Sequence, residues 1–138
     1  FAVEEVFPKE YNQFSLTGLM NKLHHQVADT IIGAFGRDNV LQEYAITHIV
    51  DKFPGAVVGD IVEPKAESNY VSVAAASILA RQRALEQMQQ LSQRAGFDLP
   101  LGSTHVKEAV ERIVKKQHPE EFVKMHFKNV KKILQNMF

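Results

Sequence analysis

The chain has no cysteine, no net formal charge, and no long apolar run in its 138 residues. Each absence excludes something. Without cysteine there is no disulfide framework and no thiolate metal site, which fits a reducing compartment, so a cytoplasmic location is expected. Without about 18 consecutive apolar residues no segment reads as a membrane-spanning helix, and no membrane partner is expected. The first residues show no basic, apolar and cleavage-site succession, so no secretory signal is read. There is no internal repeat and no low-complexity segment. What is present is 45% hydrophobic and 23% charged residues, the composition of an ordinary globular protein. The length suits a single domain spanning residues 1–138, with room for a useful core.

The zero net charge hides an asymmetry. Residues 1–70 hold 5 Lys/Arg against 10 Asp/Glu, residues 71–102 hold 3 against 2, and residues 103–138 hold 8 against 4. An acidic half and a basic tail would suit a metal site beside a polyanion-binding surface. They would equally suit two solvated faces of opposite sign.

Apolar spacing divides the chain into elements. Phe1–Phe7 reads as a short strand stopped by Pro8. A helical pattern runs from about Thr17, a plausible cap, to Phe35, and Arg37–Glu43 reads as a turn or short helix. Ala45–Phe53 reads as a buried strand, Pro54-Gly55 as a turn, and Ala56–Val62 as a second strand stopped by Pro64. From Tyr70 to Ala95 the pattern is helical, with Gly96 as its C-terminal cap. Phe97–Gly102 is a loop. Ser103 or Thr104 is expected to cap a helix reaching about Gln117. Pro119 is expected to open a last helix that frays toward Phe138. Beside the opening strand candidate, two strands and four helices form an α/β pattern with a helical C-terminal tail.

Two carboxylates stand where chemistry could gather. Asp51 ends an apolar strand, and in open α/β sheets sites form outside the carboxyl ends of strands. A carboxylate there can ligate a hard divalent cation; it can also be a turn-starting aspartate bonded to its own backbone. Glu67 stands just ahead of the helix Val71-Ser72-Val73-Ala74-Ala75-Ala76-Ser77-Ile78-Leu79-Ala80-Arg81. Small residues would let that helix lie close against a sheet, with Glu67 at the rim. An acid near a helix N-terminus is also favoured by the macrodipole alone, by roughly 0.3–1 kcal/mol. Ser68 or Asn69 could be the cap. The six histidines show no zinc-like spacing and read as surface or packing residues.

The string from Lys65-Ala66-Glu67-Ser68 through Ile78-Leu79-Ala80-Arg81 resembles one family, the type 2 ribonucleases H, most closely the ribonuclease HIII branch. Leu91-Ser92-Gln93-Arg94-Ala95-Gly96-Phe97-Asp98-Leu99-Pro100-Leu101-Gly102 resembles the loop that follows the helix in that branch. Met125-His126-Phe127-Lys128-Asn129 resembles its tail. Pro8-Lys9-Glu10-Tyr11-Asn12, Leu23-His24-His25-Gln26 and Val50-Asp51-Lys52-Phe53 are similar to segments of the same branch. The resemblance runs from about Phe7 to Leu134. It implies a ribonuclease H-like fold and an endonuclease that cleaves the RNA strand of RNA/DNA hybrids. Two Mg²⁺ or Mn²⁺ ions would activate water and stabilise the leaving oxygen. Asp51 and Glu67 would be catalytic metal ligands, and Lys65 and Arg81 would contact nucleic-acid phosphate.

The family's Asp-Glu-Val-Gly segment and its Gly-rich loop are not found in these residues. Glu4-Glu5-Val6 is an acidic pair with no glycine after it. The family's Asp-Ser-Lys segment is not found either. The spacing from Asp51 to Glu67 is shorter than the branch implies, which leaves Asp60 as the substitute for the third acid; activity of the chain alone would mean that other acids, such as Asp60 or Glu63, complete the site. The expectation is the C-terminal portion of a ribonuclease H-like catalytic domain, either a fragment or a degenerate relative. An exposed sheet edge would then favour self-association or a missing N-terminal segment. The rival readings are an inactive nucleic-acid-binding module using Lys115, Lys116, Lys124, Lys128, Lys131 and Lys132, and a protein-interaction domain.

Overall fold

Ser15 starts the first long helix: its Oγ accepts the Gly18 N–H at 3.2 Å, and its carbonyl accepts the Leu19 N–H at 2.9 Å. This is the side-chain cap that satisfies an otherwise unpaired N–H of a helix's first turn. The cap was expected at Thr17, whose hydroxyl instead donates to the Pro54 carbonyl at 3.3 Å. A computed structural model describes residues 1–37, 45–102, 104–115 and 118–137. In chain order the elements are α1 (Pro8–Tyr11), α2 (Leu16–Arg37), β1 (Ile49–Asp51), β2 (Ile61–Glu63), α3 (Val71–Ala95), α4 (Val106–Val114) and α5 (Lys128–Gln135). Single 3-10 turns lie at Ala66–Ser68 and Pro119–Glu121. The turn or helix expected over Arg37–Glu43 falls, past Arg37, outside the described residues. No helix among the described residues is long and apolar enough to cross a membrane.

The chain forms two units. The first comprises residues 1–4 and 15–83, the second residues 5–14 and 84–138. In the first, β1 and β2 pair in parallel, with Ile49 opposite Ile61, Val50 opposite Val62 and Asp51 opposite Glu63. Both strands are shorter than the apolar runs suggested. The reason lies between them. Asn21 of α2 donates to the Gly55 carbonyl at 2.9 Å and accepts the Val57 N–H at 2.9 Å. The Val57 N–H, expected to join a ladder, is therefore taken by a helix side chain. Gly55 has φ +78, and a Cβ there would stand 2.6 Å from Thr17 Cγ2, so this turn needs glycine. Phe1–Phe7 forms no strand, because no ladder partner lies beside it among the described residues.

The second unit has a closed core. Leu91, Ala95, Leu99, Val110, Ile113, Val123 and Val130 are buried together, with Phe7, Phe97, Phe122, Ile133 and Leu134 packed around them. α3 ends as its sequence implied. Gly96 has φ +75, and the Phe97 N–H reaches back to the Ser92 carbonyl, a left-handed helix stop. The helix expected from Ser103 or Thr104 begins at Val106 after His105, which has φ 61 and gives no side-chain cap; Ser103 lies outside the described residues. The helix expected from Pro119 to Phe138 is broken into a 3-10 turn and α5. Asn12 breaks it. Its Nδ2 donates to the carbonyls of Glu120 and Val123, and its Oδ1 accepts the Met125 N–H at 2.8 Å. Those backbone groups would otherwise belong to a helical ladder.

Candidate active site

The parallel pairing of β1 and β2 brings Asp51 and Glu63 side by side at the carboxyl ends of both strands. Pro64 ends β2, and Lys65 then takes the left-handed conformation, φ 59 and ψ 37. A non-glycine residue there carries a cost of roughly 1–2 kcal/mol. The reversal drops Ala66 into the interior, with no exposed surface, and opens the 3-10 turn that carries Glu67. Ala66 is the pivot. Its carbonyl accepts the N–H groups of Asn69 and Tyr70 at 3.0 and 2.8 Å. Its own N–H donates to Asp51 Oδ1 at 3.2 Å.

That bond gives Asp51 a partner outside its own turn. A turn-starting aspartate would bond its own neighbours. Asp51 instead reaches across to the residue before Glu67, so strand end and turn form one place. Glu63 Oε1 accepts the Asn69 side-chain N–H at 2.8 Å, so both strand-end carboxylates hold the turn. Asn69, an expected helix cap, therefore directs its amide toward β2.

Asp60 lies elsewhere. Its Oδ2 accepts the His48 N–H at 2.7 Å, at the opposite end of the strand pair from Asp51. Glu67 and Lys65 are exposed on the turn, and Glu67 has no hydrogen-bond or ion-pair partner among the described residues. Arg81 is exposed on α3, about 15 Å of helix rise beyond Val71, and so stands further along the helix than the turn. The Ala/Ser stretch of α3 does not make the close sheet contact expected of it: Ala75 through Ala80 are exposed. The described sheet has only two strands, too few to cover a helix face of that length.

The donor chemistry suits a hard divalent cation, which takes carboxylate oxygens. The number of donors does not complete a site. Among the described residues no three His, Asp or Glu side chains come together to hold a metal ion. Asp51 meets the turn that carries Glu67 through the Ala66 N–H alone. Sequence reasoning placed Glu63 only as a reserve, because strand register, which aligns it with Asp51, is invisible to spacing along the chain. His24, read as a packing residue, stacks on Phe53 with ring centroids 5.4 Å apart and an interplanar angle of 14°.

Known proteins share this sequence and fold. A sequence model of the family described as Ribonuclease HII matches residues 4–130. Ribonuclease HIII of Geobacillus kaustophilus (strain HTA426) is 34% identical over 157 residues, covering 97% of this chain and 49% of that protein. Ribonuclease HIII of Bacillus subtilis (strain 168) is 30% identical over 149 residues, covering 86% of this chain and 48% of that protein. The crystal structure of Bst-RNase HIII in complex with Mn²⁺ superposes with a TM-score of 0.74 at 31% identity, covering 94% of this chain and 48% of that one. The chain spans about half the length of the curated relatives it matches. Its fold is α/β and ribonuclease H-like. The chain belongs to the ribonuclease HII family.

Proposed function

We propose that these residues form the C-terminal portion of a ribonuclease H-like catalytic domain in a cytoplasmic hydrolase that cleaves the RNA strand of RNA/DNA hybrids. The observation that carries the reading is the bond from the Ala66 N–H to Asp51. It joins a strand-end carboxylate to the turn bearing Glu67, within a family of ribonucleases. Asp51 and Glu67 would hold Mg²⁺ or Mn²⁺, with further acids from a segment outside these residues. The bound ions supply water activation and charge stabilisation on the phosphate. This chain's own contribution is positional. Asp51 fixes the turn through Ala66, the Lys65 reversal presents Glu67 outward, and the Lys65 ammonium, with Arg81 further along α3, offsets phosphate charge.

The test is cleavage of a labelled RNA/DNA hybrid with Mg²⁺ or Mn²⁺. It is run with the chain alone and with an added family-type segment bearing the Asp-Glu pair. Cleavage in either arm should fall at least about 100-fold on Glu67→Gln, more than the loss seen when a group that only supports a ligand is removed. An unchanged rate in the Glu67→Gln protein would remove Glu67 from the site, and no cleavage in both arms would remove the activity.

A further inference from the structure

Five cations of the second unit have partners among the described residues, and four described ones, Lys115 at the end of α4 and three on α5, have no carboxylate or aromatic partner there. Lys9 and Arg94 pair with Glu121, and Lys107 pairs with Glu111. Arg112 lies 3.8 Å from the Phe97 ring centroid and Lys124 4.7 Å from that of Tyr11. These five are engaged in holding the fold. Lys128, Lys131 and Lys132 are different. All three are exposed on α5, and none has a carboxylate or aromatic partner among the described residues.

Their spacing puts them on neighbouring positions of one helical face, with Cβ atoms about 5–6 Å apart. Folding does not explain that face. The first turn of α5 holds no acidic residue and begins with Lys128, where a cation opposes the helix dipole. Three like charges so close also repel one another. The opposite face is already used: Val130 is buried, and Ile133 and Leu134 pack on the core. An amphipathic helix that binds a lipid surface needs a free apolar face, and α5 has none. Asn129, exposed beside Lys128, turns its Oδ1 inward to the Val130 N–H, which leaves its amide N–H groups available as donors.

We infer that the Lys128–Lys131–Lys132 face is a nucleic-acid backbone contact, separate from the carboxylates and needing no metal. It takes phosphates of a duplex, an RNA/DNA hybrid under the function proposed above, through charge and without reading bases. Binding then depends on salt because each neutralised phosphate releases counterions.

Fluorescence anisotropy of the 138-residue chain tests this on a labelled RNA/DNA hybrid and a labelled DNA duplex, without divalent metal, between about 50 and 200 mM salt. The triple variant Lys128→Gln, Lys131→Gln, Lys132→Gln should weaken binding to both. The slope of log affinity against log salt should shrink by about one for each lysine removed. Lys9→Gln with Lys107→Gln, which removes the same kind of charge where it is already paired, should leave the slope in place. Far-UV circular dichroism confirms that the triple variant is folded. An unchanged slope in the folded triple variant, equal losses from the paired-lysine variant, or no measurable binding by the parent chain would each overturn the proposal. So would lysine-dependent flotation with phosphatidylserine vesicles in place of nucleic-acid binding. Because no metal and no cleavage enter the measurement, its failure is distinct from failure of the Glu67 experiment.

Discussion

The two units are built to different degrees of completion. The second buries Tyr11, Leu91, Leu99, Val110, Ile113, Val123 and Val130, and its polar backbone is held by a side chain, Asn12, with three hydrogen bonds. Among its described residues the first buries only Leu19, Val50, Val58 and Ala66. It leaves Ile46, Val57, Val71, Ile78 and Leu79 exposed, and its described sheet is a parallel pair of strands. A sheet that small is marginal by itself. Yet Asp51, Glu63, Lys65 and Glu67 all belong to this less finished unit. The difference separates two roles. The helical unit supplies a self-contained core, while the carboxylate unit leaves apolar side chains uncovered among the described residues. A relative of about twice the length has residues with which to cover such side chains.

The sharpest way to break that comparison is to remove one apolar side chain from each unit. Ile113 is 1% exposed and Ile78 is 69% exposed. Ile113→Ala should cost about 2–5 kcal/mol through lost burial and a residual cavity. Ile78→Ala should stay within about 0.5 kcal/mol, as exposed substitutions do. Peptide-resolved hydrogen exchange reads the two units separately: protection around Val106–Val114 should collapse in the first variant and hold in the second. A large loss from Ile78→Ala would mean that this side chain is covered in solution, and concentration dependence of the loss would identify a second copy as the cover.

The same contrast explains what the sequence revealed. Helices α2, α4 and the C-terminal part of α3 were legible because their packing partners leave a mark at every third or fourth residue, as Val106, Val110 and Ile113 do, and Met88, Leu91 and Ala95. The strands were legible as apolar runs but not in length, because a strand lasts only as long as its partner's backbone is available. Asn21 takes the Val57 N–H away from the ladder, and no local pattern announces it. The break between Pro119 and α5 has the same origin in Asn12, more than a hundred positions distant. At the site, Asp51 and Glu67 stood out by position and by resemblance. What spacing could not give was the choice of strand end. Asp60 and Asp51 are equally plausible on paper, and pairing register puts them at opposite ends of β1 and β2.

Acid should distinguish the units further. His24 is half-buried against Phe53, and burial, followed by repulsion from His48, holds its pKa below the ordinary value of 6.5. The unfolded chain therefore takes up this proton first as pH falls. Stability from the neutral ring is fully present above about 6.5 and is lost as pH drops from there through the lowered folded value. Protection of the carboxylate unit should fall over that window. His24→Phe keeps a ring on Phe53 and cannot titrate, so it should flatten the decline. A decline of the same steepness in His24→Phe would assign it to another group.

The smallest effect is the most informative about the site. Lys65 stands in the left-handed region with φ 59, where a side chain costs roughly 1–2 kcal/mol. Glycine there relieves the strain but adds freedom to the unfolded chain worth about 0.4–1 kcal/mol. Lys65→Gly should therefore raise stability slightly, by about 0–1 kcal/mol, while Lys65→Ala keeps the strain and leaves stability near that of the parent. Both remove the ammonium. If the lysine contributes only its charge, the two variants should lose hybrid cleavage equally, whichever of the two arms shows it. If the strained backbone holds Glu67 in place, the glycine variant should lose more despite being the more stable protein. A glycine variant less stable than the alanine variant by about 0.4–1 kcal/mol would show that the reversal at residue 65 stores no strain, and the turn would then be set by Pro64 and the Asp51 bond to Ala66 alone.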